Sequence, residues 1–134
     1  MKDTELKRAR DRALYDAYKS ALKEREFRNQ DEAIAYVCQH ASPRFWISPE
    51  NLAAEISRIL QGRPTVARGP HSRRRIAVLY ERYQARRMEC PAMPRIAICE
   101  ILVEEQAPEF YISRDFARQV INRHRFSRIY RLPR

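Results

Sequence analysis

The chain has 134 residues, a formal net charge of +10, three cysteines and only two glycines. No apolar run approaches the roughly 20 residues of a membrane span. The opening Met1–Lys7 lacks the apolar core of a secretory signal, and Cys38, Cys90 and Cys99 are too scattered for a disulfide framework. Strands joined by tight turns need more glycine than this, so an all-α fold is expected, in a reduced, cytoplasmic protein.

The first predicted helix spans residues 4–25. There Leu6, Ala9, Ala13, Leu14, Ala17, Tyr18, Ala21 and Leu22 recur at three- and four-residue spacing and draw one apolar stripe. Asn29, with Glu32 three residues on, reads as a variant capping box that opens a second helix over 30–40. Ser42-Pro43 stops it, because a residue before proline avoids helical backbone angles. Phe45, Trp46 and Ile47 are too apolar for a solvated connection, so Phe45 and Ile47 are expected against the helices.

Ser48-Pro49-Glu50 combines a cap, a first-turn proline and an acid at the positive dipole end. The helix it starts should end at Gln61, with Gly62 as a left-handed C-cap. Leu52, Ala53, Ile56, Ile59 and Leu60 are its expected buried side, and Glu50, Glu55, Arg58 and Gln61 its outer face. Two prolines and a glycine mark residues 63–71 as a linker. Ser72 is expected to cap a fourth helix that runs to about residue 87 on Ile76, Leu79, Tyr80 and Tyr83. A fifth helix over 95–105 rests on Ile98, Ile101 and Leu102, and a sixth, capped by Ser113, ends near residue 125.

These elements repeat. Ser42-Pro43-Arg44-Phe45-Trp46-Ile47-Ser48 returns sixty-five positions later as Ala107-Pro108-Glu109-Phe110-Tyr111-Ile112-Ser113. Without a gap, the same offset carries Leu14, Tyr15 and Tyr18 onto Leu79, Tyr80 and Tyr83. It also carries Ala33, Val37 and Ile56 onto Ile98, Leu102 and Ile121. Such self-similarity predicts two tandem three-helix repeats, helix-turn-helix-like, over residues 1–62 and 76–125. They are expected to pack as one compact unit, because a lone unit of about sixty residues is marginal. An extended stretch in the loop could pair with its copy across a pseudo-twofold.

The charge is uneven. Residues 1–62 and 76–125 are each near neutral at +1, the linker 63–75 carries five arginines and no acid, and the tail 126–134 carries three arginines and no acid. Basic segments of this kind attract polyanions whatever the fold. No catalytic constellation, metal-ligand spacing or phosphate-binding glycine loop is present, so neither an enzyme nor a bound cofactor or metal is expected.

On the sixth predicted helix, Arg114, Arg118, Asn122 and Arg125 share one sector with Gln119 at its edge. Arginine pairs with guanine and asparagine or glutamine with adenine, so this face has base-reading chemistry. The expected function is a small DNA-binding protein, of the transcriptional-regulator or mobile-element accessory type. Arg68, Arg73, Arg74 and Arg75 in the linker and Arg128 and Arg131 in the tail would grip phosphate. Two alternatives stand beside it. One is a protein-interaction module whose groove exposes Trp46 and Tyr111 as anchors. The other is RNA binding through the basic tail, where arginine and Tyr130 could stack on unpaired bases.

Overall fold

The computed structural model describes residues 2–129, and side chains through residue 126; among these there are six helices and no strand. They are α1 (Asp3–Glu24), α2 (Gln30–Cys38), α3 (Pro49–Leu60), α4 (Pro70–Glu89), α5 (Arg95–Glu104) and α6 (Arg114–Ile129). No described helix is long and apolar enough to cross a membrane. Three starts follow the expected capping chemistry. Asn29 Oδ1 accepts from the Glu32 N–H at 2.9 Å, and Ser48 Oγ and Ser113 Oγ accept at 3.1 Å from the N–H groups of Asn51 and Phe116.

Two boundaries move. α4 begins at Pro70 rather than behind Ser72, since proline's fixed φ suits a first helical turn and its missing N–H costs nothing there. Gly69, at φ 84°, makes the entry turn that a side chain would strain. α6 runs past residue 125 to Ile129, because no glycine or proline interrupts the chain before Pro133.

The packing departs from two self-contained repeats. α1 and α2 pack on each other and on α6, whereas α3 packs on α5 and α4. Each third helix thus completes the trio of the other half, and α3 makes no contact with α1 or α2. Neither do α5 and α6 touch, so no contiguous helix-turn-helix forms among the described residues. The connections explain this. Nine residues separate α5 from α6, where a helix-turn-helix uses 3–4.

Two cores result. Phe45, Ile47, Leu52 and Ile56 join Ile76, Leu79, Tyr83, Ile98 and Leu102 in one. Phe110, Ala117, Val120 and Ile121 join Leu14, Tyr18, Ala33, Ile34 and Val37 in the other. Several positions sixty-five apart are buried alike, namely Leu14 and Leu79, Tyr18 and Tyr83, Val37 and Leu102, Phe45 and Phe110, and Ile56 and Ile121, whereas Tyr15 and Tyr80, and Ile47 and Ile112, differ. Between the cores, Ser42 and Ala107 exchange both backbone hydrogen bonds at 2.9 Å, an isolated antiparallel bridge. Not every expected core residue is inside. Leu22, Leu60 and Ile101 are exposed at the edges of their helices, and Tyr80 is half-buried.

Phe45→Ala and Phe110→Ala should each lose about 3–5 kcal/mol in urea melts, as fully enclosed phenylalanines do. A loss below about 1 kcal/mol would show that the loops do not anchor the cores. Because each core draws on both halves, residues 1–62 and residues 63–134 expressed separately should show no cooperative thermal transition. Mixing them should restore one.

Candidate nucleic-acid interface

α6 turns its arginine sector partly inward. Arg118 Nη2 reaches Asp31 Oδ1 of α2 at 2.6 Å and Nη1 reaches Asp115 Oδ1 at 3.3 Å. Asn122 Oδ1 accepts from Gln30 Nε2 of α2 at 2.8 Å. Two of the five residues expected to read bases, Arg118 and Asn122, are therefore seam residues between α2 and α6. Arg114, Gln119 and Arg125 are exposed. The Arg128 side chain and Arg131, with the rest of the proposed tail grip, lie outside the described residues.

The basic linker is not loose. Glu55, expected on the outer face of α3, is buried beneath it and holds it down. Its Oε1 accepts from the Val66 N–H at 3.1 Å, its Oε2 accepts from the Thr65 hydroxyl, and that hydroxyl oxygen accepts from the Ala67 N–H at 3.0 Å. A segment folded over a helix has backbone donors turned away from water, and a buried carboxylate supplies the acceptor they need. Helical spacing carried this signal, since residue 55 lies three positions after Leu52 and four before Ile59, inside the apolar stripe.

The linker and the first turns of α4 sort their arginines. Arg63, Arg68 and Arg73 are exposed, and among the described residues no carboxylate pairs with them. Arg73 Nε donates only to the Ala67 carbonyl, at 3.5 Å. Arg74 is tied to Glu109 and lies over the Tyr111 ring. Arg75 turns inward, and its Nη1 donates to the Trp46 carbonyl at 3.0 Å. Burial lowers its pKa, with the charge of Arg10 adding to the effect. Arg10 was expected mostly off the apolar stripe of the first helix, yet it sits within it, four residues from Leu6 and from Leu14.

The expected exposed anchors behave differently from each other. Tyr111 is buried at 7% exposure, its ring stacked on Phe45 with centroids 6.1 Å apart, so it offers little free surface. Its φ of 58° is unusual for a bulky residue and is held by that packing. Burial also raises its phenol pKa. Trp46 is half-buried, donating from Nε1 to Ser42 Oγ at 2.8 Å, with Arg44 over its ring. The two chain positions match in sequence, but the left-handed backbone at Tyr111 turns its ring into the core.

No family model, curated protein or solved structure matches the chain.

The histidines and cysteines have structural surroundings. His40 stacks on Tyr36 at 3.7 Å and His124 on Tyr15 at 5.4 Å, while His71 sits beside Arg74. All three thiols are free, and burial pushes Cys38 and Cys99 each up to about 11. A raised thiol pKa keeps these groups protonated and unreactive at neutral pH. In native protein, a disulfide reagent at pH 8 should modify the half-buried Cys90 first and leave Cys38 and Cys99 nearly untouched until denaturant is added. Their native reactivity should climb only as pH rises toward about 11, where thiolate forms. Three equally fast thiols at pH 8 would contradict the packing of both cores.

Proposed function

We propose that the protein is a non-enzymatic DNA-binding protein made of two copies of one three-helix unit with exchanged third helices. It holds the phosphate backbone through Arg63, Arg68 and Arg73, with exposed Arg114 and Arg125 as further contacts, and it does not read bases through Arg118 and Asn122. The observation that carries this is the pinned linker: Arg63 and Arg68 flank residues held by a buried glutamate and Arg73 follows in the first turn of α4, all three without acidic partners among the described residues. Fixing the segment beforehand removes ordering entropy that a floppy basic linker would lose on binding. The commitment of Arg118 and Asn122 to α2 favours backbone contact over base contact, because a base-reading side chain must first leave its partner. A groove of exposed Trp46 and Tyr111 has less support, since one of the two rings is enclosed.

Salt dependence tests the reading. Five phosphate contacts should give a slope of log K against log salt of roughly −4.5, at about −0.9 per contact. Replacing Arg63, Arg68 and Arg73 together with alanine should weaken binding to all duplexes alike and flatten the slope by about 2.7 units. Asn122→Ala should leave duplex preference unchanged while lowering stability by about 1 kcal/mol, the worth of one part-buried hydrogen bond. An unchanged slope in the triple variant, or preference lost with Asn122, would defeat this account.

A further inference from the structure

A cleft of about 520 Å³ opens where α1, the two loops and the starts of α3, α4 and α6 meet. Its size falls within the roughly 300–1,000 Å³ of small-ligand sites. Its lining is built from matched positions of the two halves. Arg10 and Arg75 are sixty-five apart, and so are Trp46 and Tyr111, and Ser48 and Ser113. The cleft therefore draws on both halves of the chain, with one half-buried arginine contributed by α1 and one by α4.

Four cations, Lys7, Arg10, Arg68 and Arg75, line it against the single carboxylate of Asp3. Two like charges brought together under partial burial are costly unless an anion joins them. Asp11 meets only part of that need, bound to Arg10 at 3.0 Å on α1 itself. Glu55 faces Arg75 from α3, but its oxygens are held by Thr65 and Val66. Arg75 Nε is buried and has no hydrogen-bond partner among the described residues. The start of α4 adds to this. Gly69 supplies no capping side chain, the first turn holds no acid, and His71 and Ser72 of that turn line the cleft. Unsatisfied N–H groups at a helix start favour phosphate oxygens. The remaining wall mixes Ser48, Asn51 and Ser113 with apolar groups, of which the half-buried Trp46 and Phe116 are the accessible aromatics.

We propose that this cleft binds a phosphomonoester carried on a planar aromatic body, as in a mononucleotide or the 5′-phosphorylated end of a nucleic acid strand. Phosphate is the better match than carboxylate, because a dianion with three terminal oxygens can take both guanidinium groups and the α4 N–H groups together. The aromatic wall receives the base by stacking, which accepts any base. Arg10 and Arg75 play no part in the duplex grip proposed above, whereas Arg68 is shared with it, so the Arg10 and Arg75 variants are the ones that separate this site from that reading.

Trp46 is the chain's single tryptophan and lines the cleft, so its fluorescence reports occupancy directly. The full chain is titrated at about 0.3 M salt, where unspecific phosphate attraction is screened. The ligands are AMP, inorganic phosphate, adenosine, and a short oligonucleotide with or without a 5′-phosphate. AMP is expected to shift the emission and raise the melting temperature, phosphate to act more weakly, and adenosine to do neither. Arg10→Gln and Arg75→Gln should each weaken AMP roughly tenfold or more, as the loss of one charged hydrogen-bonding partner does. Arg68→Gln, at an exposed position, provides a variant whose folding is safe and should weaken it a fewfold. Preference of about tenfold for the 5′-phosphorylated oligonucleotide over AMP assigns the site to strand ends. Equal or better binding of AMP assigns it to free nucleotide. No response to AMP or the 5′-phosphorylated strand at millimolar concentration would overturn the proposal. So would binding that is unchanged in Arg10→Gln and Arg68→Gln, or adenosine binding as tightly as AMP.

Discussion

The fold depends on burying a phenylalanine that each inter-helix loop cannot leave in water. Phe45 and Phe110 sit in short irregular segments, and each is enclosed in a core that contains helices of the other half. A buried loop must also satisfy its own backbone. Here the two loops do so against each other and against a helix end, through the paired Ser42–Ala107 hydrogen bonds and the Phe45 N–H to Val103 carbonyl bond at 2.9 Å. Once the loops are fixed in this way, each directs its following helix away from the pair that precedes it. α3 then has nowhere to place Leu52 and Ile56 except on α4 and α5, and α6 meets α1 and α2 for the same reason. The exchange follows from the loops rather than from any preference of the helices.

That exchange also decides where charge goes. A side chain in the apolar stripe of α1 or α4, near the helix start, points toward the junction of the two trios. Arg10 and Arg75 occupy that place, and each spends part of its guanidinium locally. Arg10 lies over the Phe116 ring at 4.9 Å, and Arg75 bonds the Trp46 carbonyl. An arginine can hold its planar head against an aromatic face while its stem fills apolar space, and lysine could do neither job as well. Lys7 and Arg68, at the more open edge, have no such restriction.

Much of this was legible in the sequence, and the rest was hidden for a definite reason. Periodicity and capping placed the six helices, and Phe45 and Ile47 were expected against them, where they lie. A periodic stripe says which face of a helix is buried but not against what. The partner of α3 could not be read, because the nearest helices in sequence, α1 and α2, present the same apolar pattern as α4 and α5. The polar residues were misplaced by a different error. Glu55, Arg10 and Arg75 lie inside their stripes by strict three- and four-residue spacing, yet charge suggested solvent. The converse holds for Leu60 and Ile101, whose apolar character suggested a core that their helix edges do not reach.

The two halves differ along the seams that this packing creates. Between α2 and α6 the seam is polar, with Gln30 to Asn122 and Asp31 to Arg118. The matching positions between α5 and α3 are Arg95 with Ser57 and Ile96 with Ala53, which make no such pairs. Arg118 and Asn122 on α6 are thus bonded to the helix they face. Glu55 shows the same difference in the core itself. Its counterpart sixty-five residues on is Val120, fully buried among apolar groups. A carboxylate is tolerated at this position in α3 only because the linker passes over it and supplies donors, and within residues 2–129 that linker occurs once. The acid and the basic segment above it therefore form one unit. The buried glutamate costs stability unless the linker lies down, and the linker's arginines keep a fixed placement only while the glutamate holds it.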